Sequence, residues 1–310
     1  MNIVTKQRKT NFLSSPALDC LRALANINVS AGCVHNCLYC YTKGYSIYPG
    51  ENTIELYENI VAKVTDEIKR KRKKPRCAYF CSSCDPFQPI PRIQQITFDL
   101  MKALLENNIN VQFVTKGIIS DKTFELFNEH PSKIFGHIGL ITVEEKILKI
   151  FEPGAASPPV RLNQLERLTK MGIEMSVRCD PIIHGLTDSD EQLQKLFSAI
   201  ANTGCKRVSI SFLFLRPAII SSFKQNISDK ETLDKILKPY SANNILPIGL
   251  SSKGTVLPPE IRKAGFEKIE KIAAGFGITT RICGCKNNDI TTQKCYLTRE
   301  IMNSPKLLFS

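Results

Sequence analysis

Three cysteines spaced Cys33-x3-Cys37-x2-Cys40, inside Gly32-Cys33-Val34-His35-Asn36-Cys37-Leu38-Tyr39-Cys40-Tyr41, are the residues of this sequence best suited to chemistry. Gathered thiolates are soft ligands that select iron-sulfur clusters or zinc. Zinc sites usually close with paired C-x2-C or histidines. Three thiolates without a fourth leave one metal position for an outside ligand, which is where a substrate can be activated. The spacing also implies a loop, because neither a helix nor a strand points three sulfurs so spaced at one centre. Asn28-Val29-Ser30 reads as the end of a strand and Ala31-Gly32 as the turn into that loop.

A loop of this kind needs a rigid frame, and the pattern of the chain supplies one. Apolar strand-like runs at Ile27 to Ser30, Cys77 to Ser82, Val111 to Lys116, Ile134 to Val143, Glu174 to Asp180 and Arg207 to Phe214 alternate with amphipathic stretches. The helical stretches are Thr53 to Lys73, Ile93 to Asn107, Asp121 to Asn128, Val160 to Met171 and Asp190 to Thr203. Alternation of this type predicts a parallel α/β sheet. From about Arg216 the pattern loosens. The expected organisation is therefore an N-terminal extension over residues 1–26, a core over 27–215 and a C-terminal extension over 216–310.

The cluster-loop motif resembles that of radical S-adenosylmethionine (SAM) enzymes. The fuller Gly-Cys-x-His-x-Cys-x-Tyr-Cys-Tyr form resembles their spore photoproduct lyase-like branch. So do Phe113-Val114-Thr115-Lys116, Phe151-Glu152-Pro153-Gly154 with Arg161-Leu162, and Arg178-Cys179-Asp180-Pro181 running on to Asp188. The resemblance implies a partial (β/α)6, TIM-barrel-like radical SAM core. It implies a 4Fe-4S cluster on Cys33, Cys37 and Cys40, with SAM on the open iron, and a reducing partner of flavodoxin or ferredoxin type. It places Tyr39 beside the adenine and Lys116 at the SAM carboxylate, and makes Tyr41 a radical relay. Each stretch falls at the C-terminal end of an expected strand, where barrel enzymes put reactive groups. There Thr142 reads as a SAM contact or an ordinary β-branched strand residue. Arg178 and Asp180 share a strand face, either as a structural ion pair or as contacts to SAM or substrate.

Two further cysteine groups are less direct. Cys77-Ala78-Tyr79-Phe80-Cys81-Ser82-Ser83-Cys84 repeats the C-x3-C-x2-C spacing. An extended backbone rising about 3.3 Å per residue keeps Cys77 and Cys81 too far apart for one cubane, so no second cluster is expected there. In the lyases a cysteine near this strand end returns a hydrogen atom to the substrate. Here Ser82 stands in its register with Cys81 and Cys84 on either side, so either is a candidate donor or a buried small hydrophobe. Downstream, Cys283-Gly284-Cys285 and Cys295 put three thiols within thirteen residues. An auxiliary iron-sulfur cluster, zinc or unliganded thiols all fit that group.

Composition narrows the class. The 310 residues include twelve cysteines and carry a net charge of +13. No apolar run is long enough to span a membrane, and the polar Met1-Asn2-Ile3-Val4-Thr5-Lys6 lacks a signal-peptide h-region, so no membrane partner is expected. Thiols serving metals or catalysis suit a reducing cytoplasm. The basic balance favours an anionic partner, nucleic acid among them. The densest run, Lys69 to Arg76, falls on the barrel face opposite the reactive one and reads as a solvated helix end. The functional expectation is hydrogen abstraction by an adenosyl radical, in DNA lesion reversal or nucleic-acid modification. Modification of a peptide or small metabolite, or a non-catalytic metal-stabilised nucleic-acid-binding module, are the alternatives.

Overall fold

The computed structural model describes residues 1–15, 21–22, 24–249 and 252–293. In chain order its strands are β1 (Asn2–Lys6), β2 (Ala25–Ile27), β3 (Ser30–Ala31), β4 (Thr53–Tyr57), β5 (Cys77–Phe80), β6 (Asn110–Thr115), β7 (Ile134–Gly139), β8 (Glu174–Ile182), β9 (Arg207–Phe212), β10 (Asn244–Ile248), β11 (Ser252–Val256) and β12 (Thr279–Ile282). The α-helices are α1 (Ile60–Arg70), α2 (Pro91–Glu106), α3 (Asp121–Glu129), α4 (Glu145–Phe151), α5 (Pro158–Lys170), α6 (Asp190–Asn202), α7 (Pro217–Asn226), α8 (Lys230–Leu237) and α9 (Pro259–Gly275).

Seven strands form one parallel sheet in the order β12-β9-β8-β7-β6-β5-β2. This is the parallel α/β sheet expected from the alternation and the TIM-barrel-like core implied by the resemblance, with one strand more than six. The added strand, β12, comes from the segment read as a C-terminal extension and pairs beside β9. Successive side chains alternate between the two faces. Ala78, Phe80, Val111, Phe113, Val177 and Val208 lie in the apolar layer under the helices. There α2 presents Ile93, Ile96, Leu100 and Leu104 at helical spacing, all buried, each contributing about 1.5–3 kcal/mol of transfer free energy. The alternate positions face the barrel interior and are more polar: Gln112, His137, Ser176 and Ser209 are all buried.

The segment expected as one helix from Thr53 to Lys73 instead divides. Thr53–Tyr57 alternates buried and half-buried residues and pairs with β1 and β3 as a strand, and the helix starts at Ile60. The small sheet β1-β4-β3 thus lies directly next to the first cysteine loop. The basic run Lys69 to Arg76 joins the end of α1 to the start of β5 and is almost wholly exposed. It lies on the face where strands begin.

Candidate active site at the carboxyl ends of the strands

The loop carrying Cys33, Cys37 and Cys40 leaves β3 through Gly32, whose φ is +81°. A Cβ there would lie 2.4 Å from the Thr53 carbonyl oxygen, so both the backbone angle and the close approach require glycine. The loop is then clamped by main-chain bonds. The Val34 amide donates to Gln88 Oε1 at 2.9 Å, the Leu38 amide to the Phe151 carbonyl at 2.9 Å, and the Gly154 amide to the His35 carbonyl at 3.1 Å. A Cβ on Gly154 would meet the Val34 oxygen at 2.2 Å. With its backbone bonded elsewhere, the loop turns all three cysteines to one cavity at the strand ends.

Burial, opposed in part by the Lys116 ammonium, pushes the Cys37 thiol up to about 12. Among the described residues no three His, Cys, Asp or Glu side chains converge as ligands of a single metal ion. A single ion holds thiolates by bonds of about 2.3 Å and so draws them close together, whereas a cubane bonds each thiolate to a different iron. Three thiolates facing one cavity are a donor set that suits an iron-sulfur cluster with one open iron. His35 adds a second sign. Its Nδ1 lies 3.4 Å from Asp85 Oδ2, while its buried Nε2 has no partner. An unsatisfied buried nitrogen beside three thiols is a place for an inorganic sulfide or similar acceptor.

Lys116 directly follows β6, with its ammonium 5.7 Å from the centre of the Tyr39 ring. Burial would lower the lysine, but the Cys37 and Glu152 charges outweigh it and raise it to about 12, so Lys116 stays a cation. The Tyr39 hydroxyl donates to Glu152, which pairs with Arg161 at 2.6 Å, both charges being completely enclosed. Arg161 also donates to the Gly139 carbonyl at 2.9 Å and the Ala156 carbonyl at 2.6 Å. The Phe151-Glu152-Pro153-Gly154 and Arg161 motif is thus the support beneath the cysteine loop.

Cys81, Cys84, Tyr41 and Arg178 reach the same cavity. The Tyr41 hydroxyl donates to the Ser82 carbonyl, and burial raises its pKa well above the usual phenol value. Asp180 accepts from Arg178 Nε at 3.1 Å and from Lys286 Nζ at 2.6 and 2.7 Å. Burial would raise the Asp180 carboxyl, but Lys286 and Arg178 hold it below the usual carboxylate range. Lys286 lines the cavity and was not singled out from the sequence as a site residue. It gave no local signal, because its position depends on β12 docking beside β9.

The fourth expected strand, Ile134 to Val143, is shorter than its apolar run. Strand β7 ends at Gly139, three residues short of Thr142. The Thr142 hydroxyl bonds Gln192 of α6 at 2.8 Å and accepts from the Glu144 amide at 3.1 Å. These bonds tie the segment after β7 to α6. The repeat at Cys77 also separates: Cys77 and Tyr79 lie in a second apolar cluster with Leu21, Phe135 and Cys283, against which Cys285 packs. Cys295 lies outside the described residues.

The sequence model of the Radical SAM superfamily matches residues 27–200, more than half of the chain. The chain belongs to the radical SAM superfamily. Among curated relatives of this radical SAM protein, an uncharacterised protein of Acidianus two-tailed virus is 23% identical over 225 residues, covering 68% of this chain and 74% of its own. A Radical SAM Nalpha-GlyT isomerase of Pseudomonas phage M6 is 24% identical over 182 residues, 58% of this chain and 37% of that protein. Among solved structures, a cysteine-to-serine mutant of spore photoproduct lyase superposes with a TM-score of 0.66 at 18% identity, covering 91% of this chain and 82% of the other. A radical SAM methyltransferase from Sphaerobacter thermophilus gives 0.55 at 15% identity, covering 84% and 66%. These likenesses show the fold. Membership in the family makes the protein an enzyme and implies a 4Fe-4S cluster, SAM and a reductant. Among the described residues no helix is long and apolar enough to cross a membrane.

Proposed function

We propose that Cys33, Cys37 and Cys40 hold the 4Fe-4S cluster and that the cavity beside them binds SAM together with a nucleic-acid component as substrate. When bound and reduced, the cluster supplies the electron that splits SAM and yields a 5'-deoxyadenosyl radical. The chain's own residues fix the rest. Lys116, held cationic, is the point charge for the SAM carboxylate. Tyr39, braced by Glu152, offers its ring to the adenine. Arg178, Asp180 and Lys286 form a charged wall for SAM or substrate, and His35 bonds a cluster sulfide. Cys81 or Cys84 gives a hydrogen atom back to the substrate radical, with Tyr41 next in line. The observation that carries this reading is the convergence of all three loop cysteines on one cavity with the unpaired His35 nitrogen.

Nucleic acid is favoured by the net charge of +13 and by Lys43, Arg178, Arg216 and Lys286 around the cavity, since cations neutralise phosphates. The decisive experiment is anaerobic reconstitution followed by dithionite and SAM, with 5'-deoxyadenosine as the product sought; none would end the reading. Retention on DNA should fall steeply with salt, and a flat dependence would redirect the search to peptides or small metabolites. We further propose that Cys283 and Cys285, with Cys295, hold an auxiliary iron-sulfur cluster or zinc. Metal per chain in a Cys283→Ala, Cys285→Ala variant tests it, and an unchanged value rejects it.

A further inference from the structure

Cys81-Ser82-Ser83-Cys84 brings two more thiols to the cavity, and a hydrogen donor needs only one. The geometry of this C-x-x-C turn is imposed from outside it. The chain leaves β5 with Cys81 in the left-handed region at φ +61°, its amide donating to the Ile27 carbonyl at 2.8 Å. The Ser83 amide donates to Asn28 Oδ1 at 3.0 Å. Asp85 then anchors the far end, accepting from the Phe87 amide at 2.8 Å, the Thr115 hydroxyl at 2.7 Å and the Lys116 amide at 2.8 Å. The turn brings both Cys81 and Cys84 to the wall of the one cavity. Neither is a cluster ligand, and Cys77 sits in a different apolar cluster where it cannot compete.

The two thiols are unequal. Cys81 is almost inaccessible, whereas Cys84 is half-buried at the cavity wall. Burial pushes Cys81 well up; it would raise Cys84 too, but the hydrogen bonds from Cys81 and from Ser30 hold Cys84 below the usual thiol value. One accessible nucleophile backed by one buried thiol is the arrangement of a dithiol built for exchange.

We propose that Cys81 and Cys84 are a redox couple, a dithiol in the cavity that thiol-disulfide exchange converts reversibly to a disulfide. The Cys84 thiolate attacks a low-molecular-weight disulfide such as oxidised glutathione, forming a Cys84-glutathione bond and expelling one glutathione thiolate. The Cys81 thiol passes its proton to that thiolate and attacks the Cys84 sulfur, expelling the second glutathione, which takes up the remaining proton. Two electrons pass to glutathione, and a dithiol reductant reverses the exchange. The couple rests on its own geometry. Only its use rests on the function proposed above: the dithiol can give a hydrogen atom to a substrate radical and the disulfide cannot.

The test uses reconstituted, cluster-loaded protein equilibrated anaerobically in glutathione buffers, quenched with acid, alkylated and digested with trypsin. The peptide spanning residues 77–92 contains all three thiols of this segment. The expected result is a disulfide joining Cys81 to Cys84 with Cys77 alkylated, rising from about one tenth to nine tenths across a hundredfold change in the ratio of squared glutathione to its disulfide. Dithiothreitol should reverse it, and Cys84→Ser should abolish it. Full alkylation at every ratio, or equal cross-linking to Cys77, would overturn the couple. The Cys33→Ala, Cys37→Ala, Cys40→Ala triple variant separates this from the cluster reading. An intact couple there, in protein that binds no less iron than the wild type, sinks the cluster assignment alone. A dead couple in iron-loaded wild type sinks the couple alone.

Discussion

The chain carries the spacing C-x3-C-x2-C twice, at Cys33 to Cys40 and at Cys77 to Cys84, and the fold treats the copies oppositely. The first copy lies wholly in a loop whose backbone bonds are taken up by Gln88, Phe151 and Gly154, leaving three thiols for one cavity. The second begins inside β5, so its first thiol joins the barrel interior while only the last two reach the cavity. Spacing along the chain limits which thiols can meet; the backbone conformation between them decides which do.

The largest test of this contrast is substitution within the first copy. Cys33→Ala, Cys37→Ala or Cys40→Ala should each remove the cluster iron and lower 5'-deoxyadenosine formation by more than the roughly 100-fold that loss of an outer-shell partner costs. Cys77→Ala should leave both unchanged, and loss of iron there would erase the distinction. The support beneath the first copy comes next. Arg161→Ala strands Glu152 as an enclosed unpaired charge, so unfolding in denaturant should show a loss of about 3–5 kcal/mol, together with reduced iron occupancy.

A smaller effect reports on the barrel interior, the environment that the second copy's first thiol shares. Burial, reinforced by the Arg178 charge, lowers His137 to about 3. The unfolded chain takes up this proton near the ordinary value of about 6.5, so between those limits the unfolded state binds more protons. Stability attributable to His137 is therefore complete above about 6.5 and falls as the pH drops, by up to about 1.4 kcal/mol per unit. Denaturation curves across that range should lose this increment in His137→Gln; an unaltered pH slope would mean the ring is solvated. Least of all, Cys77→Ala should cost only about 1 kcal/mol, as for a small buried apolar group.

Much of the frame was legible beforehand. Strands β5 to β9 are nearly continuous buried runs flanked by amphipathic helices, so their period and order could be read directly, and a parallel sheet puts every strand's C-terminal end on one face. The errors also have physical causes. Leu140 and Ile141 are buried although they lie beyond β7, so the apolar run outlasts the strand it marks. Strand β4 was absorbed into a helix because its buried Ile54 and Leu56 adjoin the helical apolar pattern. Strand β12, Thr-Thr-Arg-Ile, is short, polar and only partly buried, with no sequence mark of a sheet partner.

The sequence by itself determined the local chemistry: which thiols lie within reach of one cubane, which glycines permit the turn, and which segments are apolar enough to become sheet. Those depend on neighbours a few residues apart, whose separation the covalent chain limits. Only the tertiary structure decided that Lys286 faces Asp180 across 106 positions, that Cys77 leaves its neighbours for the barrel interior, and that Glu152 is neutralised beneath the cysteine loop. Those pairings follow from strand order and helix docking, where burial of apolar surface brings distant segments together and enclosed charges must find partners.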